Sequence, residues 1–425
     1  MSGVSSVNRT NQLVVVGAGV IGSAVAWHAA TAGWSVVVVG PEPAGTSSSW
    51  VAGGMLAPVS EAWPGEEISL RLGSASLESW PAFASAVSVA AGGSADRAPG
   101  GPLLSAEGGL LVGVDGADRA DLERLARYLA ARGREVTALS GREARSLEPA
   151  LGPAVRHGLH VPGDLAVDNR RLLWTVRAAA RAAGAVFDTD WLAEEARGGR
   201  VLLRRATRVG PGGPPRLDVG GGEDGERGTR ECDVVVLAAG AWSSQLHPGL
   251  ERLIRPVKGE VIRLAATPGS LPPPRRVIRG SVHGRTAYLV PRDGGRLVVG
   301  ASQRENGFDT SVTARAVREL LTDAGALVPA LDEYEVTETI AGLRPGSPDN
   351  VPLVGALEPG LLVASGHHRN GLLLTPVTVE LVGRLLGLAR AAFTSASTDA
   401  EELLSATDPA RFATVGGADH VEEVR

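Results

Sequence analysis

The 425 residues include a single cysteine, Cys232, which excludes an intramolecular disulfide framework and any multi-cysteine metal site and suits a reducing cytoplasm. No apolar run approaches the ~20 residues that a membrane-spanning helix needs. The opening stretch Met1–Asn11 is short and polar, without the apolar core of a signal peptide. Positive charge is not in excess: 42 basic and 47 acidic residues leave a net charge of −5. Neither nucleic acid nor an anionic membrane is therefore an expected partner. No paired carboxylates, no Ser–His–Asp grouping and no metal-ligand spacing stand out. His367 and His368 are adjacent, and neighbours on an extended turn point apart, so no shared metal is expected. The expectation is a soluble, cytoplasmic protein.

What is present fits a globular protein with a real core: 44% hydrophobic and 21% charged residues. The length suits two compact units, interleaved along the chain. Leu13–Val16 is an apolar run that ends in Gly17-Ala18-Gly19-Val20-Ile21-Gly22. Small and apolar residues follow to Gly33, and then comes the β-branched run Ser35–Val39. This reads as strand, tight turn, helix and buried parallel strand. Asp233–Leu237, followed by Ala238-Ala239-Gly240-Ala241-Trp242, repeats the strand–glycine pattern. So does Leu361–Ala364, with a Gly366–Gly371 turn and a helix expected from Leu372 to about Leu388. Between them, residues 106–114 and 254–302 alternate like antiparallel strands. Segment 207–230, dense in Gly, Pro, Arg and Glu, reads as an extended surface loop.

A dinucleotide loop uses its glycines for separate reasons: the turn, backbone approach to the pyrophosphate, and close helix–strand packing. Gly17, Gly19 and Gly22 have that context, and the helix start at Val20 and Ile21 would present free N–H groups to phosphates. An acid should end the second strand to hold the ribose. Here Gly40 stands there, with Glu42 two residues later. Glu42 either replaces that acid from a displaced position or is a solvated loop carboxylate.

Four blocks extend the pattern: Thr46-Ser47-Ser48-Ser49-Trp50-Val51-Ala52-Gly53-Gly54-Met55-Leu56, Pro256–Glu260, Ala341-Gly342-Leu343-Arg344-Pro345-Gly346, and Gly366-His367-His368-Arg369-Asn370-Gly371-Leu372-Leu373-Leu374. With them the chain, from about Leu13 to Leu388, resembles the D-amino-acid oxidase superfamily, and within it the glycine oxidases of thiazole (thiamine) biosynthesis. The resemblance implies an α/β fold: a discontinuous Rossmann-like FAD-binding domain (11–80, 150–245 and 335–395) and a second, antiparallel-sheet substrate domain (81–149 and 246–334). Residues 396–425 would be a peripheral tail. FAD would be non-covalent, since no cysteine lies near the C-terminal flavin motif where sarcosine-type oxidases attach theirs.

The resemblance further implies roles. Ser47, Ser48, Gly53, Gly54 and Met55 would lie against the flavin, as would Ala239, Gly240, Trp242 and Gly342. The backbone N–H groups of Gly371, Leu372 and Leu373 would start the final helix at the flavin O2 edge, where negative charge builds on reduction. His368, Arg369 and Asn370 belong to that turn; Arg369 either tunes the site or joins two segments as an ion pair. Arg344 would clamp the substrate carboxylate, for which the planar guanidinium fork is suited. Tyr288, one of three tyrosines, would bond the same carboxylate. Lys258 reads as structural.

The implied reaction is hydride transfer from the substrate Cα to flavin N5, which needs positioning more than an acid–base pair. Glycine would give an imine, hydrolysing to glyoxylate and ammonia, and molecular oxygen would reoxidise the flavin with release of hydrogen peroxide. Thiazole synthase is the implied acceptor of the imine, and a homo-oligomer is in keeping with the family. Alternatives stay open: a flavin oxidase or dehydrogenase for sarcosine, a D-amino acid or proline, a catalytically idle FAD-binding module, or, more weakly, an NAD-dependent dehydrogenase.

Overall fold

A computed structural model describes residues 10–43, 45, 47–105, 107–206 and 225–415. The strand Gln12–Val16 forms because its apolar run can be buried on both faces. Leu13 and Val15 join the core that contains the helix Val20–Thr31, while Val14 and Val16 pack on the opposite side with Val201 and Leu250. Each fully buried valine contributes about 1.5–3 kcal/mol. A charged residue at Val15 would put an unpaired ion at the centre of the sheet. The helix is buried along most of its length and therefore carries no polar stripe. It ends at Gly33, whose φ of 90° lets its N–H turn back to the Ala30 carbonyl.

This strand is central in a six-stranded sheet, ordered Leu353–Glu358, Leu361–Ser365, Val234–Leu237, Gln12–Val16, Ser35–Val39, Val186–Asp188. All neighbours are parallel except the first pair. Three distant stretches of sequence thus build one nucleotide-type sheet.

The second sheet has eight strands, ordered Glu335–Gly346, Arg255–Ala265, Arg296–Gly300, Arg285–Arg292, Val277–Val282, Gly109–Gly113, His157–Val161, Thr137–Ser140. It is antiparallel apart from the pairing of Val277–Val282 with Gly109–Gly113. Alternation sets its two faces. Ile262, Ile278, Leu289, Leu297 and Val299 pack with Leu320 and Leu327 of the helix Ala314–Leu327. Val261, Val277, Val290, Val298 and Tyr288 face the other way, towards Val51 and Met55.

Several sequence expectations change. His157–Val161 and Glu335–Gly346, expected with the nucleotide domain, are hydrogen-bonded into the second sheet. The boundary at residue 80 falls inside the helix Glu67–Ala90, whose Trp80, Phe83 and Val87 are buried in the first domain's core. The final helix begins at Thr375 rather than Leu372, because residues 371–374 form a turn closed by Leu374 N–H to Asn370 and Thr375 N–H to Leu372. The expected peripheral tail contains a helix, Ala400–Thr407, whose Ala400 and Leu403 sit in the main core. In the expected loop, residues 207–224 lie outside the described residues, and Arg227–Glu231 is a strand paired with Arg200–Arg205. Among the described residues no helix is long and apolar enough to cross a membrane.

Candidate active site

A cavity of about 1220 Å³ is lined by residues of both sheets. At one end it is walled by backbone. Gly17 has φ 113°, and a Cβ there would meet the Ala238 carbonyl oxygen at 2.4 Å. A Cβ on Gly22 would lie 2.0 Å from the Gly17 carbonyl oxygen, so helix and strand can meet only without side chains. Gly22 itself does not face the cavity; Gly17, Gly19, Val20 and Ile21 do. The helix N-cap, Gly19, makes no side-chain cap, and the first turn carries no acid. Ser49 Oγ accepts the Val20 N–H at 3.0 Å. Beyond that one bond the helix start opens into the cavity, and free N–H groups at a helix start suit an anion.

Glu42 lines the same end, beside Gly40 and Pro41. It is not merely solvated: Arg177, whose side chain is fully buried, grips both carboxylate oxygens at 2.8 Å. Burial lowers the Arg177 pKa to about 10, with Glu42 opposing. Ser47, Ser48, Gly53, Gly54 and Met55 line the middle, with Ala239, Gly240, Trp242 and Gly342. Ser48 Oγ donates to the Leu343 carbonyl, which joins this stretch to the Arg344 strand.

The other end is made of side chains. Tyr288 passes between two glycines: a Cβ on Gly53 or Gly300 would come within 2.6 or 2.4 Å of its ring. Burial pushes its hydroxyl pKa up; the Arg344 charge opposes this and Glu61 adds to it. The Arg344 guanidinium lies over Gly259, where a Cβ would be 2.4 Å from Nη2. Its Nη1 donates to the carbonyls of Ser302 at 3.2 Å and Lys258 at 3.4 Å. Among the described residues no carboxylate pairs with Arg344. Lys258 is structural: its buried Nζ holds Asp309 at 2.5 Å and the Ser311 carbonyl at 3.0 Å, below the cavity-lining residues Phe308 and Thr310.

Arg369 lines the cavity but is held in an ion-pair cluster, 3.1 Å from Glu66 and 3.7 Å from Glu61. His368 is buried at φ 47°, and among the described residues its Nε2 has no partner. Burial, then Arg344, Arg369 and Arg255, lower its pKa to about 3, so the ring is neutral at neutral pH. Gly371 and Leu372 face the cavity; Asn370 and Leu373 do not. The Leu373 carbonyl accepts from Ser76 and from Trp80, at 2.6 and 2.8 Å, and is thereby turned into the core. Among the described residues no cluster suits a metal ion.

Ser49, Glu61 and Arg279 are among the cavity residues that the sequence reading did not single out. Arg279 had a signal. His283 and Gly284, both with positive φ, make a two-residue hairpin loop, and that register sets Arg279 directly opposite Tyr288. Glu61 had none, because it lies in an irregular loop. Arg279 Nη1 sits 3.3 Å from Glu61 and 3.0 Å from the Ser60 carbonyl. Ser60 in turn donates to Asp164, whose other oxygen has no partner among the described residues and whose burial raises its pKa to about 7.

A glycine-walled end whose backbone N–H groups suit phosphates, joined to an end with a guanidinium that no carboxylate pairs among the described residues, fits FAD. The comparisons agree. A family model described as FAD dependent oxidoreductase (DAO) matches residues 12–385. The chain is 32% identical over 411 residues to a glycine oxidase of Pseudomonas putida, covering 96% of this chain and 99% of that protein. It is 31% identical to a bifunctional ThiO/ThiG protein of a Nostoc species, across 89% of this chain and 53% of that protein. The crystal structure of glycine oxidase from Geobacillus kaustophilus superposes with a TM-score of 0.73 at 29% identity, covering 90% of this chain and 97% of that one. Fold, cavity and sequence together place this chain in the family of FAD-dependent oxidoreductases.

Proposed function

We propose that this protein oxidises the Cα–N bond of a small amino acid, with glycine as substrate. The observation that carries this reading is Arg344, a guanidinium facing the cavity beside Tyr288 with no carboxylate of its own among the described residues. A cation left unpaired in a half-buried site is costly unless a ligand neutralises it. With Nη1 tied to two carbonyls, its remaining N–H groups are oriented for a carboxylate. Tyr288, kept protonated by burial, donates a further hydrogen bond. These two groups fix the acid, and the glycines that flank Tyr288 hold its ring in place. His368, also in the cavity lining, is neutral and adds no charge there.

Gly17, Gly19 and the start of the helix Val20–Thr31 would hold the pyrophosphate of FAD, and Glu42 would receive the ribose while Arg177 fixes its carboxylate. FAD, when bound, supplies the hydride acceptor and passes the electrons to molecular oxygen, which leaves as hydrogen peroxide. Glycine would leave as its imine, or as glyoxylate and ammonia after hydrolysis. Use of the imine in thiazole (thiamine) biosynthesis, with thiazole synthase as acceptor, is supported by the relative named ThiO/ThiG.

The test is the visible spectrum of the purified protein on anaerobic addition of glycine. Bleaching of the flavin band, reversed by air with peroxide formed, is the expected result. A yellow protein that responds only to sarcosine, proline or a D-amino acid would reassign the substrate. A protein that takes up no FAD would end the flavoenzyme reading.

A further inference from the structure

Beside its arginines, the substrate end of the cavity carries a charged group of the opposite sign. Four acids line the cavity: Glu42, Glu61, Glu319 and Asp323. Glu42 is gripped at both oxygens by Arg177, and Asp323 by Arg285 at 2.8 and 2.5 Å. Glu319 stands on the helix Ala314–Leu327, which packs on the face of the sheet away from Tyr288. Glu61 differs from all three. Its side chain is 13% exposed and approaches Arg279 at 3.3 Å and Arg369 at 3.7 Å. Among the described residues neither contact is a hydrogen bond, so its oxygens retain accepting capacity.

Its position relative to Arg344 matters more than its charge. The strand of Tyr288 lies between those of Arg344 and Arg279 in the sheet order, and Arg279 is the cross-strand partner of Tyr288. Directly opposite residues of an antiparallel pair project from the same face. The cavity wall therefore reads Arg344, Tyr288, Arg279, with Glu61 seated against the last. An amino acid whose carboxylate is bound by Arg344 and Tyr288 has its nitrogen on the far side of the carboxylate from Arg344. Glu61, against Arg279, also lies across Tyr288 from Arg344. Arg279 and Arg369 are offset by Glu61 and Glu66, so the cluster brings no net positive charge to repel an amine.

We infer that the Glu61 carboxylate receives the amino group of the substrate and selects amines over acids that lack one. This rests on the proposed action on glycine and adds the residue that would read its nitrogen. Ser60 and Asp164 are positioning residues in this scheme. The Ser60 carbonyl holds Arg279, and Asp164 accepts from both the N–H and the hydroxyl of Ser60, fixing the loop that carries Glu61.

Glu61→Gln in the FAD-loaded protein tests this with two probes. One is glycine, read as the concentration giving half-maximal anaerobic flavin bleaching. The other is acetate, which has the carboxylate alone, read as its dissociation constant from perturbation of the flavin spectrum. Loss of a charged hydrogen-bond acceptor should raise the glycine value roughly tenfold to a hundredfold and leave acetate within about twofold. Glu61→Asp keeps the charge near Arg279 and Arg369 but withdraws it, and should show the same asymmetry should the glutamine variant fold poorly. Equal weakening of both probes, or of neither, would overturn the inference and leave the glycine reading intact. A wild-type protein that responds to neither probe would overturn both.

Discussion

The two ends of the cavity are built from different materials. The nucleotide end is mostly backbone: glycines at 17 and 19, a helix start whose N-cap residue is glycine, and one carboxylate already gripped by an arginine. The substrate end is side chains converging from distant segments, namely Glu61, Arg279, Tyr288, Arg344 and His368. Backbone donors need only the right local turn, and they carry no titratable charge. Side-chain constellations must be desolvated, and desolvation shifts their ionisation. Burial lowers the pKa of Arg279 and His368 and raises that of Asp164 and the Tyr288 hydroxyl. The cofactor end rests mostly on backbone, with the Arg177–Glu42 pair as its desolvated charge, while the substrate end rests on desolvated side chains throughout.

Gly22→Val attacks the first end and should have the largest effect. A Cβ there already lies 2.0 Å from the Gly17 carbonyl oxygen. The helix would have to leave the strand, and the purified protein should contain little or no FAD, measured as the ratio of flavin to protein absorbance. Full flavin content would show that the close approach is not needed for cofactor retention.

Arg344→Ala attacks the second end and should leave flavin content unchanged. Removing the carboxylate clamp should raise the glycine concentration for half-maximal bleaching roughly a hundredfold. Arg344→Lys should recover only part of this, since a point charge cannot reproduce the fork. Loss of flavin in either variant would mean that the two ends are not separable.

The smallest effect expected is on stability. Asp164 is fully buried and its pKa is raised to about 7, above the unfolded value near 3.8. The folded state thus holds a proton that the unfolded state has lost, and the contribution of Asp164 to stability declines as pH rises from about 4 to about 7. Asp164→Asn accepts the same Ser60 hydrogen bonds without that charge. Its melting temperature should match the wild type near pH 4 and exceed it by several degrees above pH 7. A constant difference across that range would show that burial of the charge is not what Asp164 costs the fold.

Much of this was legible in one dimension. The run Leu13–Gly22 specifies strand, turn and helix locally, and the apolar strands at 35–39, 234–237 and 361–365 announce a sheet buried on both faces. Arg344 and Tyr288 were visible through the blocks around them, and the cavity lining contains both. Domain limits were less visible. Glu335–Gly346 carries a motif that faces the cavity, yet its pairing partner is Arg255–Ala265, and pairing across some eighty residues leaves no local mark.

What the sequence by itself determined is the set of local elements and the glycines, since these follow from backbone sterics and from apolar periodicity. What only the tertiary structure decided is who faces whom. It turned the Leu373 carbonyl into the core and bound Glu42 to Arg177. It also left Arg344 without an anion among the described residues and set Glu61 across Tyr288 from it. Charge pairing depends on distances between segments far apart in the chain, and those distances exist only once the two sheets have closed around the cavity.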